Sequence, residues 1–164
     1  MQKRLIEIKW GLIFVIMMLL WMYFEKAMGW HDENIADHAT YTNFVAIPSI
    51  LIYVFALLEK RKKHYKNVMS WKKGFISGMI LTAVVVVLTP FSQMVTHELI
   101  TPEYFENVSA YAVNQDQMTP AEAASYFNLS NYMWQSALFA LIIGAVTSAI
   151  VAVFVRKKGS SSKH

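Results

Sequence analysis

Fourteen of the chain's fifteen lysines and arginines fall in three clusters, and the gaps between the clusters hold four long apolar runs. The clusters are Lys3/Arg4/Lys9, Lys60 to Lys73, and Arg156 to Lys163. Nine of the eleven acids fall in the two remaining connections, between Glu25 and Asp37 and between Glu98 and Glu122. Short loops rich in Lys and Arg stay on the cytoplasmic side of a membrane. The pattern therefore predicts an all-α integral membrane protein of four transmembrane helices, with both termini cytoplasmic and two acidic loops outside.

The spans are expected at about 8–28, 39–58, 74–96 and 132–155. The first has only fifteen strictly uncharged residues, Trp10 to Phe24, where a vertical span takes about 20. Lys9 and Lys26 extend it if their ammonium groups snorkel toward the headgroups. Ala27-Met28-Gly29 has the small-x-small spacing of a signal-peptide cleavage site. Bulky Trp21, Tyr23 and Phe24 and charged Glu25-Lys26 precede it, so the segment reads as a retained anchor. Pro48 and Pro90 lie toward the outer ends of spans two and three, where a kink is expected. Ala83 to Leu88 is strongly β-branched, yet a lipid-embedded segment must close its own hydrogen bonds and so is helical. Trp10, Trp30, Tyr41, Trp71, Tyr132 and Trp134 mark the span ends as an interfacial aromatic belt.

Lipid gives helices no hydrophobic reason to associate, so small residues that allow close approach carry the packing. Gly74 and Gly78 begin the third span, and Ala140, Gly144, Ser148 and Ala152 form a stripe on the fourth. These faces are expected to pack within the bundle, with an oligomer seam as the competing use. The second outer connection is too long for a plain turn. Thr101-Pro102 and Thr119-Pro120-Ala121-Glu122 carry helix-start signals, which predict short helices over about 102–113 and 120–128. Together they make an outer lid over about 102–128, with Tyr104, Phe105, Val108 and Tyr111 inward and Glu103, Glu106 and Asn107 outward. A short tail is expected over 159–164.

The net charge of +4 is explained by topology and anionic headgroups rather than by nucleic acid. With no cysteine, disulfides and thiolate chemistry are excluded. No phosphate-cradling glycine loop or nucleophile elbow is present, and no cofactor is expected. The outer-side ionisable residues include Glu25, His31, Asp32, Glu33, Asp37, His38, His97 and Glu98. Of these, His31, His38, His97 and Glu98 are the candidate ligands for Zn²⁺, Ni²⁺ or Cu²⁺. His31 and His38, seven apart, share one face on a continuous helix. At the other side, Lys60, Arg61, Lys62, Lys63, Lys72 and Lys73 are candidate contacts for anionic lipid headgroups.

Met69-Ser-Trp-Lys-Lys-Gly-Phe-Ile-Ser-Gly-Met79 is followed by Pro102-Glu-Tyr-Phe105, Met118-Thr-Pro-Ala-Glu122 and the small-residue run Gly144 to Ala149. In order and spacing these segments resemble the bacterial membrane family catalogued as domain of unknown function 4199, best from Ser70 to Lys158. The resemblance implies a four-helix protein of the bacterial inner membrane and supplies no catalytic residues. It also implies a partner class, a polyprenol-phosphate glycosyltransferase, through shared gene neighbourhoods. The expected role is a non-catalytic accessory or assembly subunit in contact with membrane lipid and another membrane protein. The alternatives are a small oligomeric transporter or channel, or a protein that handles lipid or polyprenyl phosphate.

Overall fold

The computed structural model describes residues 4–159, and their regular structure is helical apart from one isolated bridge. The helices are α1 (Leu5–Ala27), α2 (Ile35–Tyr41), α3 (Ala46–Lys63), α4 (Trp71–Val95), α5 (Tyr104–Asn114), α6 (Pro120–Tyr126) and α7 (Leu129–Val155). A 3₁₀ turn, Thr42–Val45, joins α2 to α3, and a π turn, Thr96–Ile100, extends α4. Four units are long and apolar enough to cross a membrane: Leu5–Ala27, Ile35–Lys63, Trp71–Ile100 and Leu129–Val155. The 23 residues of α1 rise about 35 Å, enough for a hydrocarbon layer of about 30 Å. Leu12, Ile16 and Leu20 lie exposed along α1, as do Leu138, Ile142 and Phe154 on α7. In water such large apolar faces would be a liability; in lipid they are the solvated surface. From residue 160 onward the expected tail lies outside the described residues, as does Lys3.

The four units run up and down, so the charged clusters gather at two ends. At the basic end the start of α1 meets the end of α3, where Lys9 binds Glu59, and Met69 bridges Lys157 in an antiparallel backbone pair. The histidine end holds the last turn of α1, α2, the π turn and the α5–α6 lid.

Packing between α4 and α7 follows a regular antiparallel register: Gly74 faces Ala152, Gly78 faces Ser148, and Thr82 faces Gly144. A Cβ on Gly78 would fall 2.5 Å from the Ser148 hydroxyl, and one on Gly144 would fall 2.5 Å from the Thr82 methyl. The absence of a side chain at each position thus sets the distance between the backbones. Hydroxyls in this seam bond to their own helices: Ser148 donates to the Gly144 carbonyl at 2.6 Å and Thr82 to the Gly78 carbonyl at 3.0 Å. Tyr53 of α3 reaches in to share a 2.8 Å hydrogen bond with Thr82. Around this seam Leu57, Leu81, Val85, Val151 and Val155 form the apolar core, while Ala140 packs at its edge.

The two prolines act differently. Pro48 has no N–H for the Phe44 carbonyl, and the chain tightens into the 3₁₀ turn just before α3. Pro90 lies inside α4 without ending it. The lid departs from expectation at its start: α5 begins at Tyr104, with residues 102–103 still in a turn and no side-chain cap from Glu103. By contrast, α6 has the full reciprocal capping box of Thr119 and Glu122. Asn107 does not face away as its sequence position suggests: its amide points inward and donates to the His31 carbonyl at 3.0 Å.

Candidate functional site

The histidine end is built on the way α1 stops. Met28 N–H returns to the Phe24 carbonyl, Gly29 N–H to Lys26 and Trp30 N–H to Glu25. This closure places Gly29 at φ +76°, a left-handed conformation that a side chain disfavours. The reversal folds His31 back over the helix it has just left. His31 lies in a turn and His38 on α2, so they do not share a continuous helix; the reversal and α2 bring them together instead.

Both imidazoles converge on Glu25. Its Oε2 is 3.0 Å from His31 Nε2 and 3.3 Å from His38 Nε2. Its other oxygen, Oε1, accepts a 2.5 Å hydrogen bond from the Trp21 indole, one turn earlier. Glu25 is fully buried and His31 is 3% exposed, while His38 is partly open. One carboxylate oxygen and one nitrogen from each imidazole lie within 4.8 Å of one another.

The lid closes over this group. Tyr104 on α5 bonds His38 Nδ1 at 3.2 Å and Tyr132 on α7 at 3.4 Å. Its ring meets those of His31 and His38 edge-on, with centroids 5.1 and 5.3 Å apart. Burial, with Tyr132 beside it, pushes the Tyr104 phenol far above its ordinary range, so it remains a neutral hydroxyl. Lys26 donates to the Ile100 carbonyl, tying the last turn of α1 to the entry of the lid.

His97 occupies the adjoining layer. It stacks on Phe105 at 4.2 Å and pairs its Nε2 with Gln93 at 3.0 Å, and Gln93 in turn donates to Ser136. Glu98 is exposed. His97 faces inward and Glu98 is turned away from it. Of the four candidate metal ligands, the structure thus joins His31 and His38, places His97 one layer off and leaves Glu98 outside. The carboxylate that meets the imidazoles is Glu25. The Nδ1 atoms of His31 and His97 are buried without a hydrogen-bond partner.

At the basic end, the six candidate headgroup contacts divide. Lys60, 3% exposed, makes a buried ion pair with Glu7 at 2.8 Å, and Ser77 donates to Glu7 at 2.7 Å. Arg61 donates to the Val155 carbonyl at 2.7 Å. Lys62, Lys63, Lys72 and Lys73 remain exposed, although Lys63 also reaches Glu59 and Lys73 lies over the Tyr65 ring. Beside them a cleft of about 320 Å³ is lined by Trp71, Lys73, Arg156, Lys157 and Lys158, among others.

Sequence reasoning missed the buried role of Glu7, which sits three residues before Trp10. An acid inside a helix otherwise suited to lipid is a signal for a buried partner. No curated protein matches the chain, and no solved structure does so. The family described as "Protein of unknown function (DUF4199)" matches residues 9–157, and the chain belongs to that family.

Proposed function

We propose that the chain is an integral protein of the bacterial inner membrane, with the basic end in the cytoplasm and the histidine end outside, serving as a non-catalytic accessory or assembly subunit. The observation that carries this reading is the separation of charge between the ends of the bundle. Lysine and arginine are concentrated at the end with Arg156, Lys157 and Lys158, and carboxylates and imidazoles at the other. Cytoplasmic loops retain basic residues, so the basic end takes the cytoplasmic side. Support for a non-catalytic role comes from the lid: Tyr104 and Asn107 cover the buried Glu25 group. That group is arranged to hold parts of the fold together. The proposed partners are membrane lipid at the basic end and a second membrane protein, for which a polyprenol-phosphate glycosyltransferase is the candidate the family resemblance implies.

Because the sequence has no cysteine, single-cysteine labelling gives an unambiguous test of orientation. Asp116→Cys is expected to react with a membrane-impermeant maleimide in intact spheroplasts, and Lys158→Cys only after permeabilisation. The reverse result overturns the topology. For the role, gentle-detergent purification from native membranes is expected to recover a stoichiometric membrane-protein partner. A solitary oligomer that conducts ions or small solutes into liposomes overturns the accessory reading in favour of transport.

A further inference from the structure

We infer that Glu25, His31 and His38 form a binding site for one divalent transition-metal ion, with Zn²⁺ the best match to the ligand set. A tetrahedral Zn²⁺ ion bound at about 2.0–2.1 Å holds neighbouring ligand atoms about 3.3 Å apart. Glu25 Oε2 lies 3.0 and 3.3 Å from the two Nε2 atoms. Both carboxylate–imidazole distances match that spacing, and the three ligand atoms lie within 4.8 Å of one another. Two imidazoles and one carboxylate make a nitrogen–oxygen set suited to Zn²⁺, with Ni²⁺ and Cu²⁺ as competitors. The hard, oxygen-preferring ions Ca²⁺ and Mg²⁺ are poorly matched.

Two further features fit an ion better than simple charge neutralisation of Glu25. One protonated imidazole balances one carboxylate, yet two histidines approach the same oxygen. The atoms behind the ligands are arranged as an outer shell that orients them: the Trp21 indole holds Glu25 Oε1 and the Tyr104 hydroxyl meets His38 Nδ1. An ion would replace the Nε2–Oε2 hydrogen bonds, with each ligating imidazole neutral and its remaining proton on Nδ1. Three protein ligands leave one tetrahedral position for water beneath the lid.

The test uses the full-length chain, carrying an affinity tag without histidine, stripped with chelator and titrated with Zn²⁺ in detergent. Uptake of one Zn²⁺ per chain is expected, with affinity reduced at least about tenfold in Glu25→Gln and in His38→Gln. His64→Gln, at the exposed basic-end histidine, is expected to bind as the unaltered chain does. X-ray absorption of the Zn²⁺-loaded unaltered chain is expected to show two imidazoles and oxygen at about 2.0–2.2 Å; it needs no variant, so a folding failure in one leaves the test intact. Absence of titratable uptake by the unaltered, folded chain overturns the inference, as does undiminished uptake in a folded Glu25→Gln or His38→Gln protein. The outcome is independent of topology and of partner capture.

Discussion

The two ends of the bundle bury a carboxylate by different chemical means. At the basic end, Glu7 is held by Lys60 and Ser77, an ammonium group and a hydroxyl donor. At the histidine end, Glu25 is held by two imidazoles and an indole. An ammonium group can neutralise a carboxylate but cannot share a metal ion with it; an imidazole can do both. The basic end is therefore a fixed clamp between α1, α3 and α4. The histidine end joins α1, α2 and the lid through groups whose bonding can change with an occupant.

The largest effect is expected from breaking the fixed clamp. Lys60→Met leaves Glu7 buried and uncompensated, a loss of about 3–5 kcal/mol, read as a lowered unfolding midpoint in detergent. The paired change Glu7→Leu with Lys60→Met removes both charges and is expected to restore most of that loss. Failure of the pair to recover would mean that Ser77 and the α1–α4 geometry, rather than charge, hold this end. Next comes Glu25→Gln in chelator-treated protein, at about 1.5–3 kcal/mol for charge-assisted hydrogen bonds. A larger loss here than for Lys60→Met would reverse the ranking of the two ends.

Gly78→Val calibrates the seam that both ends share. Its side chain would meet Ser148, at a cost of about 1–3 kcal/mol from overpacking, measured by the same unfolding assay. Tyr53→Phe removes the bond to Thr82 and is expected to cost about 0.6 kcal/mol, the average for such bonds between membrane helices. The smallest effect concerns the lid alone. Its Thr119 partners hold the exposed Glu122 carboxyl below the ordinary glutamate range. A carboxyl with a depressed folded-state pKa stabilises above the unfolded value, about 4.3, and loses that contribution as pH falls through its lower folded value. The protection of α6 amides relative to their intrinsic exchange rates is thus expected to fall at acid pH, and Thr119→Ala to abolish the difference.

The four spans were legible because charge and apolar length are local properties. So was the packing seam: residues spaced by four on two helices can meet in only a few registers, although the pairing of 74 with 152 and 78 with 148 needed the structure. The α6 cap was written in Thr119-Pro-Ala-Glu122, since each donor and acceptor lies within one turn. Thr101-Pro102 carried a similar signal, but α5 began two residues later.

The site was only half legible. Histidines gathered beyond a span end pointed to this region, yet the choice of Glu25 over Glu98 depends on the reversal at Gly29 and on the direction His97 faces in the π turn. The first is closed by local backbone hydrogen bonds around Gly29; the second is settled by tertiary packing. The pairing of Glu7 with Lys60 was hidden for another reason: a lysine inside a basic cluster looks like its neighbours until burial distinguishes it.

The most direct measurement of the contrast between the ends is hydrogen–deuterium exchange with mass spectrometry, on the detergent-purified chain, with Zn²⁺ and with chelator. The account expects Zn²⁺ to slow exchange in residues 25–41 and 100–114, which surround Glu25, and to leave 5–10 and 57–63 around Glu7 and Lys60 unchanged. Equal slowing at both ends, or no change at the histidine end, would contradict it.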